Sequence, residues 1–336
     1  MTIKDIAARC GVSVSTVSRA LNGHPDVSAQ VREQVMRVVR ETHYVPNSSA
    51  RDLVRQDSDG VGLVVRGVGN QFFAEILSPM EERLIEAGFT PVLHQIRSGE
   101  DELKAGAALA KSKRLKGLIF LGGCFNYGPD QIEGLDVPFV CCTYTNSFGS
   151  LRRDQYSSVT IDDRQAGRDA TDALLALGHR RIAVLLDEVG NSSISELRYL
   201  GYANALSGAG IEVDPALVCQ TGAFDMDSAY WRVRELLAAG TDFTAIFAIS
   251  DAMALAAIRA LYESGRRVPE DCSVVGIDGL TATQYTIPIL TSLVQPKKEL
   301  GEQAADILVE MIQGRAGNRQ VVLPTTLRRG ESVRAC

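Results

Sequence analysis

Histidine is scarce in this 336-residue chain, and the four present stand far apart at positions 24, 43, 94 and 179. They form no H-E-x-x-H pair and no cysteine–histidine cluster, so the ligand spacing of a zinc site is missing and no metal is expected. The seven cysteines (10, 124, 141, 142, 219, 272 and 336) contain no C-x-x-C pair, and adjacent Cys141 and Cys142 make a poor bridge. Odd in number and several of them inside apolar runs, they read as buried thiols of a reducing compartment. Long apolar stretches are also missing. The longest uncharged run, Gly279 to Pro296, is full of Thr, Gln and Pro, and no basic-then-apolar leader opens the chain. A soluble, cytoplasmic protein without a membrane partner is expected. There is no G-x-S-x-G elbow, and Gly67-Val-Gly69 lacks the third glycine of a dinucleotide loop because Phe72 stands there. An enzyme is therefore not indicated, nor is a cofactor.

What is present is an ordinary globular composition, 45% hydrophobic and 23% charged, at a length that calls for two or three domains. The net charge of −6 argues at first against nucleic acid, but the charge is unevenly spread. Residues 1–57 hold eight Lys/Arg against six Asp/Glu, and the rest holds 27 against 35. A head of +2 thus precedes a body of −8, as expected where the head alone meets phosphate. So small an excess predicts weak binding by one head, with dimerisation supplying the affinity.

The head carries the most specific pattern. Thr2 stands at an N-cap position with Asp5 three residues on, and Ile3, Ile6 and Ala7 share one helical face. Gly11 suits a C-cap with positive φ, and Ser13 caps the next helix. On that helix Val17, Ala20 and Leu21 share one side, while Ser15, Ser18, Arg19 and Asn22 share the other. Small polar side chains let a backbone approach a groove floor, and an arginine forks onto guanine O6 and N7. Ser28 caps a third helix with Val31, Val35, Val38 and Val39 inward. After Tyr44-Val-Pro46, residues 50–56 read as a helix of about two turns, too short to be stable in isolation. A minor groove would stabilise it, with Leu53 as an apolar wedge and Arg51 near phosphate.

These residues resemble the headpiece of the lactose-repressor (LacI/GalR-type) family of bacterial transcription regulators. The match rests on Thr2-Ile-Lys-Asp-Ile-Ala7, on Val12 to Asn22, on Tyr44-Val-Pro46 and on Ala50-Arg51-Asp52-Leu53. The resemblance implies base reading by Val14, Ser15 and Arg19 and intercalation by Leu53. Thr2, Ser13, Thr16, Ser18, Asn22, Tyr44, Ala50 and Arg51 complete the expected set facing double-stranded operator DNA.

From Val61 onward, short apolar runs alternate with amphipathic helices, and the order restarts after Ser158. That is the pattern of two doubly wound α/β lobes with mostly parallel sheets. The resemblance continues through Leu177-Gly-His-Arg-Arg-Ile182, Gly276-Ile-Asp278, Leu290 to Pro296 and Leu323-Pro324, and implies a body like periplasmic sugar-binding proteins. The expected division is a headpiece over 1–46 and a hinge over 47–59. One lobe then takes 60–159 with 291–319, the other 160–290 with 320–336, with crossovers near Val159, Thr291 and Gln320. No leucine-heptad tail is seen, so a homodimer is expected rather than a tetramer. A sugar-binding partner of a transporter is the rival reading, but it has no use for such a headpiece.

Ligands of doubly wound lobes bind beyond the carboxyl ends of the strands. The candidates there are Asn70, Phe72, Phe73, Asp162, Ser192, Arg198, Phe224, Asp251, Asp278 and Gln295, with Thr143 and Ser250 nearby. Carboxylates and guanidinium groups engage adjacent hydroxyls, and aromatic rings cover a sugar face, so a small carbohydrate effector is expected. The resemblance assigns ligand contacts to Arg198 and Asp278 and stacking to Phe224. Phe72 is favoured over Phe73 for the cleft, Asp251 is read foremost as a helix cap, and Asp162 and Asp163 are close to interchangeable. Purine-responsive members would carry Arg where Ser192 stands, which counts against a nucleobase.

Overall fold

The computed structural model describes residues 1–21, 24–42, 44, 58–67, 69–97 and 99–336. They fall into two compact units, Met1–Ser58 and Asp59–Cys336. In the first unit, α1 (Ile3–Cys10) starts at a reciprocal capping box. The Asp5 amide donates to Thr2 Oγ1 at 3.4 Å, and the Asp5 carboxylate accepts from the Thr2 amide at 2.7 Å. Gly11 ends the helix at φ 64°, the left-handed conformation its missing Cβ permits. Ser13 Oγ accepts from the Thr16 amide at 3.1 Å at the start of α2 (Val14–Leu21), and Ser28 caps α3 (Ala29–Glu41). The caps aim the three short helices so that Ile6, Ala7, Cys10, Val17, Ala20, Val27 and Val35 close one small core.

The second unit is two lobes. The first runs through β1 (Gly60–Arg66), α4 (Gln71–Glu86), β2 (Thr90–Ile96), α5 (Glu102–Lys113), β3 (Gly117–Leu121), α6 (Pro129–Ile132), β4 (Phe139–Cys142) and β5 (Ser157–Ile161). The chain then passes to α7 (Asp163–Leu175), β6 (Ile182–Leu186), α8 (Ile194–Gly208), β7 (Val218–Gln220), α9 (Met226–Ala238), β8 (Ala245–Ala248), α10 (Asp251–Glu263), β9 (Ser273–Asp278) and β10 (Thr291–Val294). It ends with α11 (Lys297–Ile312), β11 (Gln320–Leu323) and β12 (Thr326–Arg328). One sheet has the order β11-β5-β4-β3-β1-β2 and is parallel throughout. The other has the order β12-β10-β9-β8-β6-β7, parallel except where β12 lies antiparallel on β10. Fully buried strands such as Ile182–Leu186 explain the unbroken apolar runs, since helices cover both faces. Among the described residues, no helix is long and apolar enough to cross a membrane.

The lobe boundaries differ from the expected ones. Thr291–Val294 pairs with β9 and stays in the second lobe, while Gln320–Leu323 pairs with β5 in the first. The chain therefore crosses near Asp162, near Gln295 and near Pro324, not at Val159, Thr291 and Gln320. After the second crossing, α11 packs Leu300, Ala304 and Leu308 with Ile76 and Met80 of α4 in the first-lobe core. A four-residue apolar strand states that it is buried but not in which sheet, so sequence reading moved two strands to the wrong lobe. Residues 47–57 of the expected hinge (47–59), like Asn22, lie outside the described residues.

Two glycines set the helix spacing beside the cleft. A Cβ on Gly167 of α7 would stand 2.2 Å from the Arg198 carbonyl oxygen, and one on Gly201 of α8 would stand 2.1 Å from that of Arg164. Backbone there meets backbone, so no side chain can yield. Gly201→Ala should drive α7 and α8 apart and cost at least the ~1–3 kcal/mol typical of overpacking. Thermal unfolding should register this as a lowered midpoint, and an unchanged midpoint would contradict the close packing.

Candidate functional site

In the headpiece, α2 turns Val17 and Ala20 inward and leaves Val14, Ser15 and Arg19 exposed. Ser13 Oγ lies 2.7 Å from Ser15 Oγ and 2.8 Å from Thr16 Oγ1, so these hydroxyls are tied together at the helix start. Arg19 Nη1 sits 3.5 Å from Asp26, and both side chains are about half exposed, which leaves the guanidinium free to exchange partners. Ser18 is half-buried, Thr2 is engaged in its capping box, and Tyr44 packs on the core. Thr2 and Tyr44 thus have structural duties within the fold. Asn22, Ala50, Arg51 and Leu53 lie outside the described residues.

In the body, Arg198 of α8 is the largest fully buried side chain. Its Nε and Nη2 reach Asp163 Oδ1 at 3.0 and 2.9 Å, its Nη1 donates to the Ile249 carbonyl, and Asp278 Oδ1 stands 3.9 Å from Nη1. Gln295 Nε2 donates to Asp278 Oδ1 at 2.9 Å. Three predicted residues, Arg198, Asp278 and Gln295, therefore meet in one buried network. Burial pushes the Asp278 carboxyl up to about 7, against the pull of the Arg198 guanidinium, with the neighbouring Asp251 charge adding to the rise. Asp163 is also raised by burial, opposed by Arg198.

The other candidates separate. Phe72 lies in the first-lobe core with Ile76, Met80 and Leu84, because the inward row of α4 runs at steps of four from residue 72. Phe73 is the partly buried neighbour packed against the same core, its ring end where it would meet a Cβ on Gly122 at 2.7 Å. Asn70 caps α4 by accepting from the Phe72 amide at 3.0 Å. Asp162 caps α7 by accepting from the Gln165 amide at 2.9 Å, and its neighbour Asp163 is the one turned inward. Ser250, not Asp251, caps α10. Asp251 is fully buried and accepts from Ser292 Oγ, from the Leu280 amide at 2.7 Å and from Thr283 Oγ1 at 3.3 Å. It fastens the loop after β9 rather than a helix end. Ser192 gives its amide to Glu196 at 2.9 Å, and Phe224 remains 38% exposed, neither joined to the network.

Backbone strain recurs toward the carboxyl ends of strands. Among the described residues, four other than glycine have positive φ, and three of them, Thr143 (73°), Ser192 (54°) and Asp278 (132°), stand in segments leaving parallel strands. Each such conformation costs of order 1–3 kcal/mol and persists only where the surroundings impose it. A hollow of about 420 Å³ opens between the lobes, lined by Phe125, Phe148, Thr145, Ser147, Thr160 and Asp162, with Asp163 and Leu197 on its second-lobe wall. Sequence reading missed Phe125 and Phe148, and left Asp163 as an alternative to Asp162. The two aromatics sit in loops whose distance from the cleft is set by tertiary structure alone.

Residues 2–47 match the family described as bacterial regulatory proteins, lacI family, and residues 171–333 match a periplasmic binding protein-like domain. The chain is 38% identical over 331 residues to the HTH-type transcriptional regulator MalR of Clostridium butyricum, covering 97% of each. Among solved structures it is similar to a transcriptional regulator CelR–cellobiose complex, with a TM-score of 0.73, 35% identity and 99% of each chain covered. It is also similar to the lac repressor dimer bound to operator and the anti-inducer ONPF, with a TM-score of 0.75, 27% identity, and 100% of this chain and 99% of that one covered.

A carboxyl raised to about 7 in the fold, against roughly 4 when unfolded, destabilises the protein as pH climbs through that interval. Below it both states hold the proton, and above it the full penalty stands. Asp278→Asn removes the penalty, so its stability relative to the parent should rise by about 2–3 kcal/mol between pH 5 and pH 8. Urea unfolding at the two pH values measures this, and a pH-independent gap would refute the raised, buried carboxyl.

Proposed function

Because the chain belongs to the lacI family of bacterial regulatory proteins, a family of transcriptional regulators and not of enzymes, we propose that this ligand-responsive DNA-binding protein is a repressor whose operator affinity is set by a small sugar held between its lobes. The observation that carries the reading is the pairing of two features in one chain. One is a capped helix presenting Val14, Ser15 and Arg19 to solvent. The other is a 420 Å³ hollow between α/β lobes lined by two aromatic rings, three hydroxyls and two carboxylates. That volume lies within the range of small-molecule sites. Rings beside hydroxyl and carboxylate acceptors match the apolar faces and polar edges of a mono- or disaccharide. The cellobiose complex of CelR supports a carbohydrate here by similarity.

Two copies act together in this proposal, as in the operator-bound lac repressor dimer. Each headpiece reads one half-site with Arg19, and the segment around Leu53 is expected to enter the minor groove at the centre. Sugar binding shifts the lobes and with them the spacing of the paired joints near residue 58. Bending such a site costs about 1–6 kcal/mol, and allosteric coupling of ~1–3 kcal/mol is enough to move occupancy tenfold or more. Release of DNA by the sugar is the proposed sign.

Fluorescence anisotropy on DNA from upstream of the gene tests both halves. Arg19→Ala should weaken specific binding by about 1–3 kcal/mol while leaving the salt-sensitive non-specific part largely in place. For the parent protein, at least one of cellobiose, maltose or ribose should lower operator affinity. Retained specificity in Arg19→Ala would remove that residue from base reading, and operator affinity indifferent to every sugar would defeat the effector assignment.

A further inference from the structure

A carboxylate stands beside the arginine of the exposed headpiece helix. Arg19, in the last turn of α2, holds Nη1 3.5 Å from Asp26 Oδ2, and Asp26 Oδ1 is bonded to His24 Nδ1. The turn carrying Asp26 is fixed from several directions. The His24 amide donates to the Arg19 carbonyl at 3.0 Å, and the Val27 amide donates to the His24 carbonyl at 3.3 Å. Arg32 Nη2, from α3, donates to that same carbonyl at 2.6 Å. Val27 itself is buried in the headpiece core. The backbone thus sets where Asp26 stands, although its side chain is 50% exposed and that of Arg19 is 59% exposed.

An acid at this point opposes DNA attraction. Residues 1–57 carry a net charge of only +2, and Asp26 repels the phosphates from which affinity for any duplex comes. An exposed ion pair also contributes little to folding. What the carboxylate changes is the choice of acceptor open to Arg19. Phosphates are the same on every sequence, whereas base edges differ. A phosphate drawn to Arg19 must approach Asp26 as well and is repelled by it. Guanine O6 and N7 are uncharged acceptors, and a guanidinium with Nη1 beside a carboxylate keeps its Nε and Nη2 edge for a forked contact. Restraint of the side chain before binding also reduces the rotamer entropy lost on contact.

We infer that Asp26 is a specificity-determining residue of the headpiece, which disfavours phosphate contact by Arg19 and leaves its base contact open. Asp26 lowers affinity for DNA at large more than affinity for operator, and so widens the gap between them. The inference rests on the reading of Arg19 as a base-contacting residue and deepens it. Asp26 is a positioning residue, since it acts through the guanidinium it holds.

The test uses the full-length protein and two duplexes at one fixed salt concentration. One is enriched by the parent protein from a pool of random duplexes, and the other is a scramble of it with the same composition. Asp26→Asn should raise affinity for the scramble at least tenfold and affinity for the enriched duplex no more than threefold, so that their ratio falls at least threefold. A smaller fall overturns the inference, whichever way the affinities move: equal gains would show a general charge effect, and equal losses a structural role. In an Arg19→Ala background the same substitution should leave the ratio within twofold, and a larger effect there overturns action through the guanidinium. Arg19→Ala alone separates the two readings. If it collapses the ratio while Asp26→Asn does not, only the role of Asp26 falls. If it leaves the parental ratio intact, base reading by Arg19 falls and the role of Asp26 with it, and a pool from which nothing is enriched defeats both. Asp26→Ser, judged by the same ratio, replaces Asp26→Asn should that variant fail to fold.

Discussion

A guanidinium ion removed from water must be surrounded by acceptors, and the need to satisfy Arg198 organises much of the body around it. Taking such an ion out of solvent costs several kcal/mol even after relaxation, and the loss is recovered only where geometry and hydrogen bonding are good. Asp163 and the Ile249 carbonyl supply that geometry. Bringing Asp163 close enough requires α7 and α8 to meet backbone to backbone, which Gly167 and Gly201 permit. The first crossing between lobes ends one residue before Asp163, so the charge that neutralises Arg198 is planted at the start of the second lobe. A pair placed there is sensitive to how the lobes are set.

The loop after β9 gives that sensitivity a path. Asp251 anchors it from beneath through Leu280, Thr283 and Ser292, and Lys297 holds the Asp278 and Gly279 carbonyls from the side. From the first lobe, Glu75 of α4 accepts from the Thr281 amide at 3.0 Å and from its hydroxyl at 3.1 Å. Asp278 therefore ends β9 at the head of a loop clasped by both lobes. The same few residues through which α4 grips the second lobe thus hold the segment that follows Asp278.

Legibility in the sequence followed the range of the interactions. The capping box of Thr2 and Asp5, the left-handed Gly11 and the cap at Ser28 depend on neighbours within four residues, and each was readable. Arg198 and Asp278 became visible through family resemblance and Gln295 through its place at a strand end, and the structure joins them. Sheet membership of β10 and β11 was not readable, because pairing to β9 and β5 is decided by partners far along the chain. The burial of Phe72 turned on which row of α4 faces inward, and the choice between Asp162 and Asp163 on which of two adjacent carboxylates caps. In both cases the chemistry was legible and the direction was not.

For the proposed regulator, the charge distribution explains why a few buried groups can govern DNA occupancy. A head of only +2 gains little from phosphate and cannot hold operator strongly by itself. Joining two heads turns the second contact into an intramolecular one, whose strength depends on whether the two can reach their half-sites together. Affinity then resides in geometry more than in contacts, and geometry is what the body sets. A strongly basic head would bind whatever the spacing, and a sugar contributing ~1–3 kcal/mol of coupling would be unable to remove it. In the proposed regulator a weak head leaves occupancy near balance, where coupling of that size is enough to tip it.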